Sequence, residues 1–251
     1  MPPDAAYQDA LARFNGGVEL LRAIPEERLR GARFLDVGCG QGGLMLAAIE
    51  AGASTASGVD IDLRCFGYDW RAEIAAERGI DIGRIDLLAE GDFCDYPIAG
   101  EFDVVTCFDA LEHVGRPAEF MRKFAAVLAP EGIGLIDVSP LYYSQIGHHL
   151  WPIYPRDRYP WVHLWRDFDA MVGSANADPW LMRHFQGLNK ITVGETRRLI
   201  ADAGMKIRFE WINRDVGRDE IASVAGHFDA AKLPADRDDL FIEWMQFGLH
   251  R

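Results

Sequence analysis

Ten residues, Phe34-Leu-Asp-Val-Gly-Cys-Gly-Gln-Gly-Gly43, constrain the fold of this chain more than any other segment. An apolar run ends in an acid, glycines follow, and an apolar stretch with helical spacing begins. Glycine lets a backbone turn sharply and approach a ligand closely, and the first turn of a helix offers unpaired N–H groups. The segment therefore reads as strand, tight turn and helix, the opening of a parallel α/β sheet.

The glycine spacing leaves the ligand open. Gly38, Gly40 and Gly43 satisfy the dinucleotide pattern GxGxxG, whereas Gly38, Gly40 and Gly42 satisfy GxGxG. Asp60 closes the next apolar run, in Gly58-Val-Asp-Ile-Asp62, where a carboxylate suits the two hydroxyls of a ribose in NAD or in any other adenosine ligand. Asp36 separates the two cases. It stands two residues before the first glycine, where a carboxylate would face a pyrophosphate. A ligand without phosphate and with a cationic amine tolerates it, and S-adenosylmethionine is such a ligand.

Short β-type runs at Ala32–Val37, Ala56–Asp60, Asp86–Glu90, Phe102–Phe108 and Gly132–Val138 alternate with helical ones at Gly43–Ala51, Leu63–Arg78 and Pro117–Leu128. Such alternation predicts a mostly parallel sheet covered on both faces. A helical N-terminal segment precedes it, halted at Pro25. From Pro140 to Asn189 the alternation stops, and four of the seven tryptophans, four of the seven tyrosines and four of the seven histidines gather there. A capping box at Thr192 and Glu195 then opens a helix that ends near Gly204, and strands are expected at Met205–Trp211 and Leu240–Leu249. The expected organisation is an N-terminal helical cap at 1–30, a cofactor-binding core at 31–139, an inserted acceptor-binding cap at 140–190 and the rest of the core at 191–251.

These motifs together resemble the class I S-adenosylmethionine-dependent methyltransferases of small-molecule type. Leu35–Gly42 is similar to that family's first motif, Val59-Asp60-Ile61 to its second and Glu90-Gly-Asp-Phe93 to its third. Phe102–Val114 looks like its fourth strand and the loop beyond, and Leu128–Gly134 like the turn into its fifth strand. The resemblance implies a Rossmann-like fold, with a seven-stranded, mostly parallel sheet, an antiparallel last strand and an aromatic-rich insert. It also implies S-adenosylmethionine as methyl donor and S-adenosylhomocysteine as product. The residues it places around the cofactor are Asp36, Gly38, Cys39, Gly40, Gln41, Gly42, Asp60, Ile61, Asp92, Phe93 and Phe108. Asp92 would face the adenine amino group, with an Asx turn as the plainer alternative, and Phe93 would pack on the ring or belong to the core.

The implied reaction is methyl transfer to a small organic acceptor, preferably at oxygen, in secondary or glycan metabolism. A hydroxyl nucleophile needs a base, and His149, His163 and His113 are the candidates. Asp109-Ala-Leu-Glu-His113 is similar to a short, common pattern that helps bind a divalent metal in some ubiquinone-type O-methyltransferases; His148-His149 resembles the start of a metal site, but no third ligand stands at a diagnostic spacing, and no metal is assigned. Two rival readings are an NAD(P)-dependent Rossmann oxidoreductase and an inactive S-adenosylmethionine-binding partner protein. The first lacks a Tyr-x-x-x-Lys pair at Tyr142 or Tyr143.

The 251-residue chain carries 26 Lys+Arg against 39 Asp+Glu, a net charge of -13, which argues against holding nucleic acid by charge. Its four cysteines, Cys39, Cys65, Cys94 and Cys107, form no CxxC pair and read as reduced thiols. With no signal-peptide pattern and no apolar stretch of membrane-spanning length, a cytoplasmic protein is expected. Nothing in the sequence sets an oligomeric state.

Overall fold

The computed structural model describes residues 3–63, 70–151, 153–167, 171 and 179–251. Helix α1 (Pro3–Leu21) and the short α2 (Glu26–Leu29) lead into β1 (Arg33–Val37), α3 (Gly43–Glu50) and β2 (Thr55–Asp60). Next come α4 (Arg71–Arg78), β3 (Ile85–Glu90), β4 (Phe102–Phe108), α5 (Pro117–Val127) and β5 (Leu128–Val138). The insert carries α6 (Val162–Trp165) and α7 (Pro179–Gln186), and α8 (Val193–Asp202), β6 (Lys206–Ile212) and β7 (Met245–His250) complete the chain.

The seven strands form one sheet in the order β3-β2-β1-β4-β5-β7-β6. All neighbours are parallel except β7, which runs antiparallel to both β5 and β6. After β3 the chain returns to lay β4 on the other side of β1. The strand order therefore reverses between β1 and β4, and a crevice opens outside their carboxyl ends, where open α/β sheets bind ligands.

Both sheet faces are closed by apolar packing. On one face Phe120, Met121 and Phe124 of α5 and Ile200 of α8 meet Leu35, Val105, Ile136 and Phe247, all of them buried. On the other, Phe14 of α1 and Met45, Leu46 and Ala48 of α3 meet Phe34, Val104 and Leu135. Fully burying a Phe or Leu side chain contributes roughly 1.5–3 kcal/mol. Thr192 and Glu195 form the expected capping box of α8. Gly204, at φ +76°, ends that helix in a Schellman turn, in which Met205 N–H donates to the Ile200 carbonyl at 3.1 Å.

Three elements differ from expectation. Strand β5 begins at Leu128, through Pro130, with its pairing to β4 shifting between Phe102 and Val104. Strand β7 begins only at Met245. Before it, Asp236 caps a 3-10 turn over Arg237–Phe241, so the apolar Leu240 and Phe241 enter a separate core rather than the sheet. The expected helix Leu63–Arg78 is observed from Arg71; its first part and Cys65 lie outside the described residues.

That separate core belongs to the insert. Tyr142, Leu150, Tyr154, Trp161, Val162 and Leu164 pack with Val224, Leu240 and Phe241 from the connection between β6 and β7. Trp161 is fully buried and its Nε1–H donates to the Leu240 carbonyl at 3.1 Å. Hence the long β6–β7 connection, read from sequence as part of the core domain, shares the insert's hydrophobic centre.

Candidate cofactor and acceptor site

The glycine loop is shaped by positions that admit no side chain. Gly38 (φ +77°), Gly40 (φ +51°) and Gly42 (φ +85°) all adopt left-handed backbone. A Cβ on Gly38 would stand 2.4 Å from Cβ of Ala110, in the loop after β4. The two loops that flank the reversal point thus touch, and only glycine lets them.

Asp60, at the end of β2, fixes the loop. One carboxylate oxygen accepts from Gly40 N–H at 2.8 Å and the other from Asp62 N–H at 2.9 Å. A carboxylate offers about four lone-pair sites, so each oxygen keeps capacity for a further donor such as a ribose hydroxyl. Ile61 beside it is 75 % exposed, a lone apolar side chain at the mouth of the crevice. Asp36, at the end of β1, is 3 % exposed and accepts from the Thr106 hydroxyl at 2.8 Å. Burial pushes its carboxyl up to about 7 against that hydrogen bond, and the charge of Asp60 adds to the rise. A cation arriving there would be welcome, and a phosphate would be repelled.

The remaining cofactor-side residues divide. Cys39 and Gln41 are buried within the loop, and Gln41 Oε1 has no partner among the described residues. Phe108 is half-buried at the end of β4. Asp92 makes an Asx bond to Cys94 N–H at 2.8 Å and an ion pair with Arg116 at 2.8 Å, which holds its carboxyl below the usual range despite partial burial. Phe93 is 6 % exposed and its ring packs 5.2 Å from that of Phe120, so its side chain sits in the core beneath α5.

The acceptor side is built on the loop after β4. Asp109 (φ +46°) leads into a 3-10 turn at Leu111–His113. Asn189, at the end of the insert, braces that turn: its side-chain N–H groups donate to the carbonyls of Leu111 (2.6 Å) and Val114 (3.0 Å), and its backbone N–H to that of Glu112 (2.8 Å). Glu112 is 2 % exposed, and among the described residues neither of its carboxylate oxygens has a hydrogen-bond partner. Burial drives its carboxyl well above the usual range.

Two of the three candidate bases meet here. The His113 ring lies 5.1 Å from that of His149 and 4.9 Å from that of His184, both supplied by the insert. Burial lowers His113 to about 3 and His149 to about 4, so both are neutral imidazoles at neutral pH. Nε2 of His149 faces the Pro140 carbonyl at 3.0 Å. His163 stands apart in the insert's core, with Nε2 2.6 Å from the Tyr142 carbonyl and its ring near those of Tyr142 and His148. Glu112, His113 and His149 each bring a ligand atom within 4.8 Å of the others, a grouping the sequence hid because its third member lies far along the chain.

Strand order, glycine loop and strand-end acids define a Rossmann-like methyltransferase fold. A solved S-adenosylmethionine dependent methyltransferase from Mesorhizobium loti has the same fold, with a TM-score of 0.59 and 21% identity over 95% of this chain and 100% of that one. The [4+2]-cyclase SpnF shares it too, at TM-score 0.56 and 16% identity over 95% of this chain and 80% of that one. The model of the methyltransferase domain family matches residues 7–207, and the chain belongs to that family. A ubiquinone biosynthesis O-methyltransferase from Thiobacillus denitrificans is 33% identical over 114 residues, which cover 41% of this chain and 43% of the relative. The chain thus spans less than half the length of the curated relatives it matches first.

Proposed function

We propose that this chain is an S-adenosylmethionine-dependent methyltransferase that methylates a hydroxyl of a small organic acceptor. The observation that carries the reading is the buried Asp36 carboxylate under the glycine loop, a place for the amine of S-adenosylmethionine and a poor one for a pyrophosphate. In this reading Asp60 takes the ribose hydroxyls, Ile61 lies against the adenine, and the N–H groups at the start of α3 take the amino-acid carboxylate. The sulfonium methyl then points towards the loop after β4. Transfer is an in-line displacement that turns the sulfonium into a thioether, so the protein aligns the acceptor, excludes water and removes the hydroxyl proton.

Oxygen as the methylated atom is supported by the relatives named ubiquinone biosynthesis O-methyltransferase. In this reading the acceptor lies under the insert, between the Asp109–His113 loop and His149, with Trp151, 47 % exposed, at the rim. His113 and His149 act on the acceptor side, whereas His163 supports the insert from its core. Among the described residues no helix is long and apolar enough to cross a membrane.

Incubation with S-adenosylmethionine and a panel of phenolic, sugar and polyketide-type hydroxyl acceptors, followed by mass spectrometry, tests the reading. S-adenosylhomocysteine release with an O-methylated product is expected. Products methylated only at nitrogen or carbon would overturn the oxygen assignment, and binding of NADH in preference to S-adenosylhomocysteine would overturn the methyltransferase reading.

A further inference from the structure

Asp109, Asp137 and Glu112 gather at the tips of β4 and β5. Asp109 follows β4, Asp137 pairs in register with Phe108, and Asp109 N–H donates to the Asp137 carbonyl at 3.1 Å. Asp137 is 4 % exposed. Trp244 Nε1–H and Gln246 Nε2–H both donate to its Oδ2, at 2.7 and 2.9 Å, so among the described residues the other oxygen has no donor. Asp109 is exposed, in left-handed backbone at φ +46°. Glu112, in the same loop, is 2 % exposed, with neither oxygen partnered among the described residues. A carboxyl so buried loses its hydration and gains nothing in exchange, and natural cores seldom keep such a group unless a ligand completes it.

The missing ligand is a positive one. Among the described residues no lysine or arginine pairs with Asp109, Asp137 or Glu112. Burial pushes all three carboxyls up; the charge of Asp137 adds to the rise at Asp109, and both aspartates add to that at Glu112. His113 and His149 beside them are neutral and bring no charge of their own. A carboxylate or phosphate entering this group would be repelled, whereas a cation favours the ionised forms and is held by them. We propose that Asp109, Asp137 and Glu112 form an anionic wall that selects an acceptor carrying a protonated amine beside the hydroxyl to be methylated.

An ammonium brings only donors, and the wall offers only acceptors: the open Asp109 carboxylate and the free oxygen of Asp137, with the charge of Glu112 close by. The same wall decides which atom reacts. A nitrogen kept as ammonium has no lone pair and cannot attack the sulfonium. The hydroxyl oxygen instead takes the methyl group as the C–S bond breaks, its proton passes to a neutral imidazole of His113 or His149, and S-adenosylhomocysteine leaves. Selection of oxygen over nitrogen thus follows from charge. The inference rests on the methyl-transfer reading for the step at oxygen, whereas the preference for a cation belongs to the site and is read from binding alone.

Two sets of matched probes test it: tyramine, para-ethylphenol and para-hydroxyphenylpropionate, and glucosamine, glucose and glucuronate. They are titrated calorimetrically, with EDTA present, into protein saturated with S-adenosylhomocysteine. In at least one set the amine is expected to bind at least about tenfold more tightly than its neutral partner, the factor of one charge-assisted hydrogen bond, and the acid most weakly of the three. Asp109→Asn should remove that preference. Should this variant fail to fold by circular dichroism, Asp137→Asn takes its place. With S-adenosylmethionine, an amine probe that turns over should yield an O-methyl product alone. Amines bound no more tightly than their neutral partners in both sets, a preference untouched by the substitution, or an N-methylated product would each overturn the proposal. So would an Asp109→Asn variant that loses affinity for S-adenosylmethionine but not S-adenosylhomocysteine and keeps its amine preference, since the wall would then serve the sulfonium. A preference for amines with no methyl transfer would uphold the wall and count against the methyltransferase reading.

Discussion

Replacing Asp60 with alanine separates cofactor recognition from folding. In the structure the Asp60 carboxylate accepts two backbone N–H bonds, from Gly40 at 2.8 Å and from Asp62 at 2.9 Å, and in the proposed complex it also accepts two ribose hydroxyls. Hydrogen bonds to a charged group are worth about 1.5–3 kcal/mol each. Loss of the two ribose bonds therefore removes roughly 3–6 kcal/mol from binding, or about two to four decades in Kd. The two backbone donors sit at a partly open loop where water replaces the carboxylate, so folding loses far less. A stability loss of about 1 kcal/mol lowers the thermal midpoint by roughly 2–4 °C in a chain of this size. Isothermal titration with S-adenosylhomocysteine, beside a thermal melt of the unliganded variant, reads both quantities. A variant that melts near the wild type yet binds within fivefold of it would refute the ribose assignment.

Other substitutions probe the frame around that contact. Gly38→Ala combines a left-handed φ of +77° with a 2.4 Å approach to Ala110; a loss of about 2–4 kcal/mol, seen as a lower thermal midpoint, is expected, and an unchanged melt would contradict the geometry. Thr192→Ala removes the side-chain cap of α8 and is expected to cost about 0.5–2 kcal/mol by chemical denaturation. Asp36 sets a pH dependence. Its folded pKa is raised to about 7 from an ordinary value near 3.8, so the folded chain holds the extra proton and stability from this group falls as pH rises between those values. The amine of S-adenosylmethionine prefers the ionised carboxylate, so affinity should increase as pH rises towards about 7 and level off above it. Asp36→Asn should flatten that profile, and an unchanged profile would remove Asp36 from the amine site.

Much of this site is legible in the sequence because its determinants are local. Asp36 and Asp60 each end an apolar run and precede a glycine or a turn, so strand, tip and acid can be read from a few neighbouring residues. The capping box at Thr192 and Glu195 is equally local. The acceptor side is not. Aromatic and histidine content marks the insert, yet the approach of His149 to His113 depends on how residues far apart in sequence fold over one another. The union of the insert with the β6–β7 connection is hidden for the same reason. Leu240 and Phe241 have the composition of a strand, and only the cap at Asp236 and the pull of Trp161's core turn them away from the sheet. Phe93 shows the converse: its motif position suggests a ligand contact, while its ring packs on Phe120.

A crystal structure of the protein with S-adenosylhomocysteine is the most direct test of how the strand tips hold a ligand. Density should show both ribose hydroxyls on Asp60, the homocysteine amine within hydrogen-bond reach of Asp36, and the sulfur directed at the Asp109–His113 loop. An adenosyl group bound elsewhere, or an amine turned away from Asp36, would contradict it.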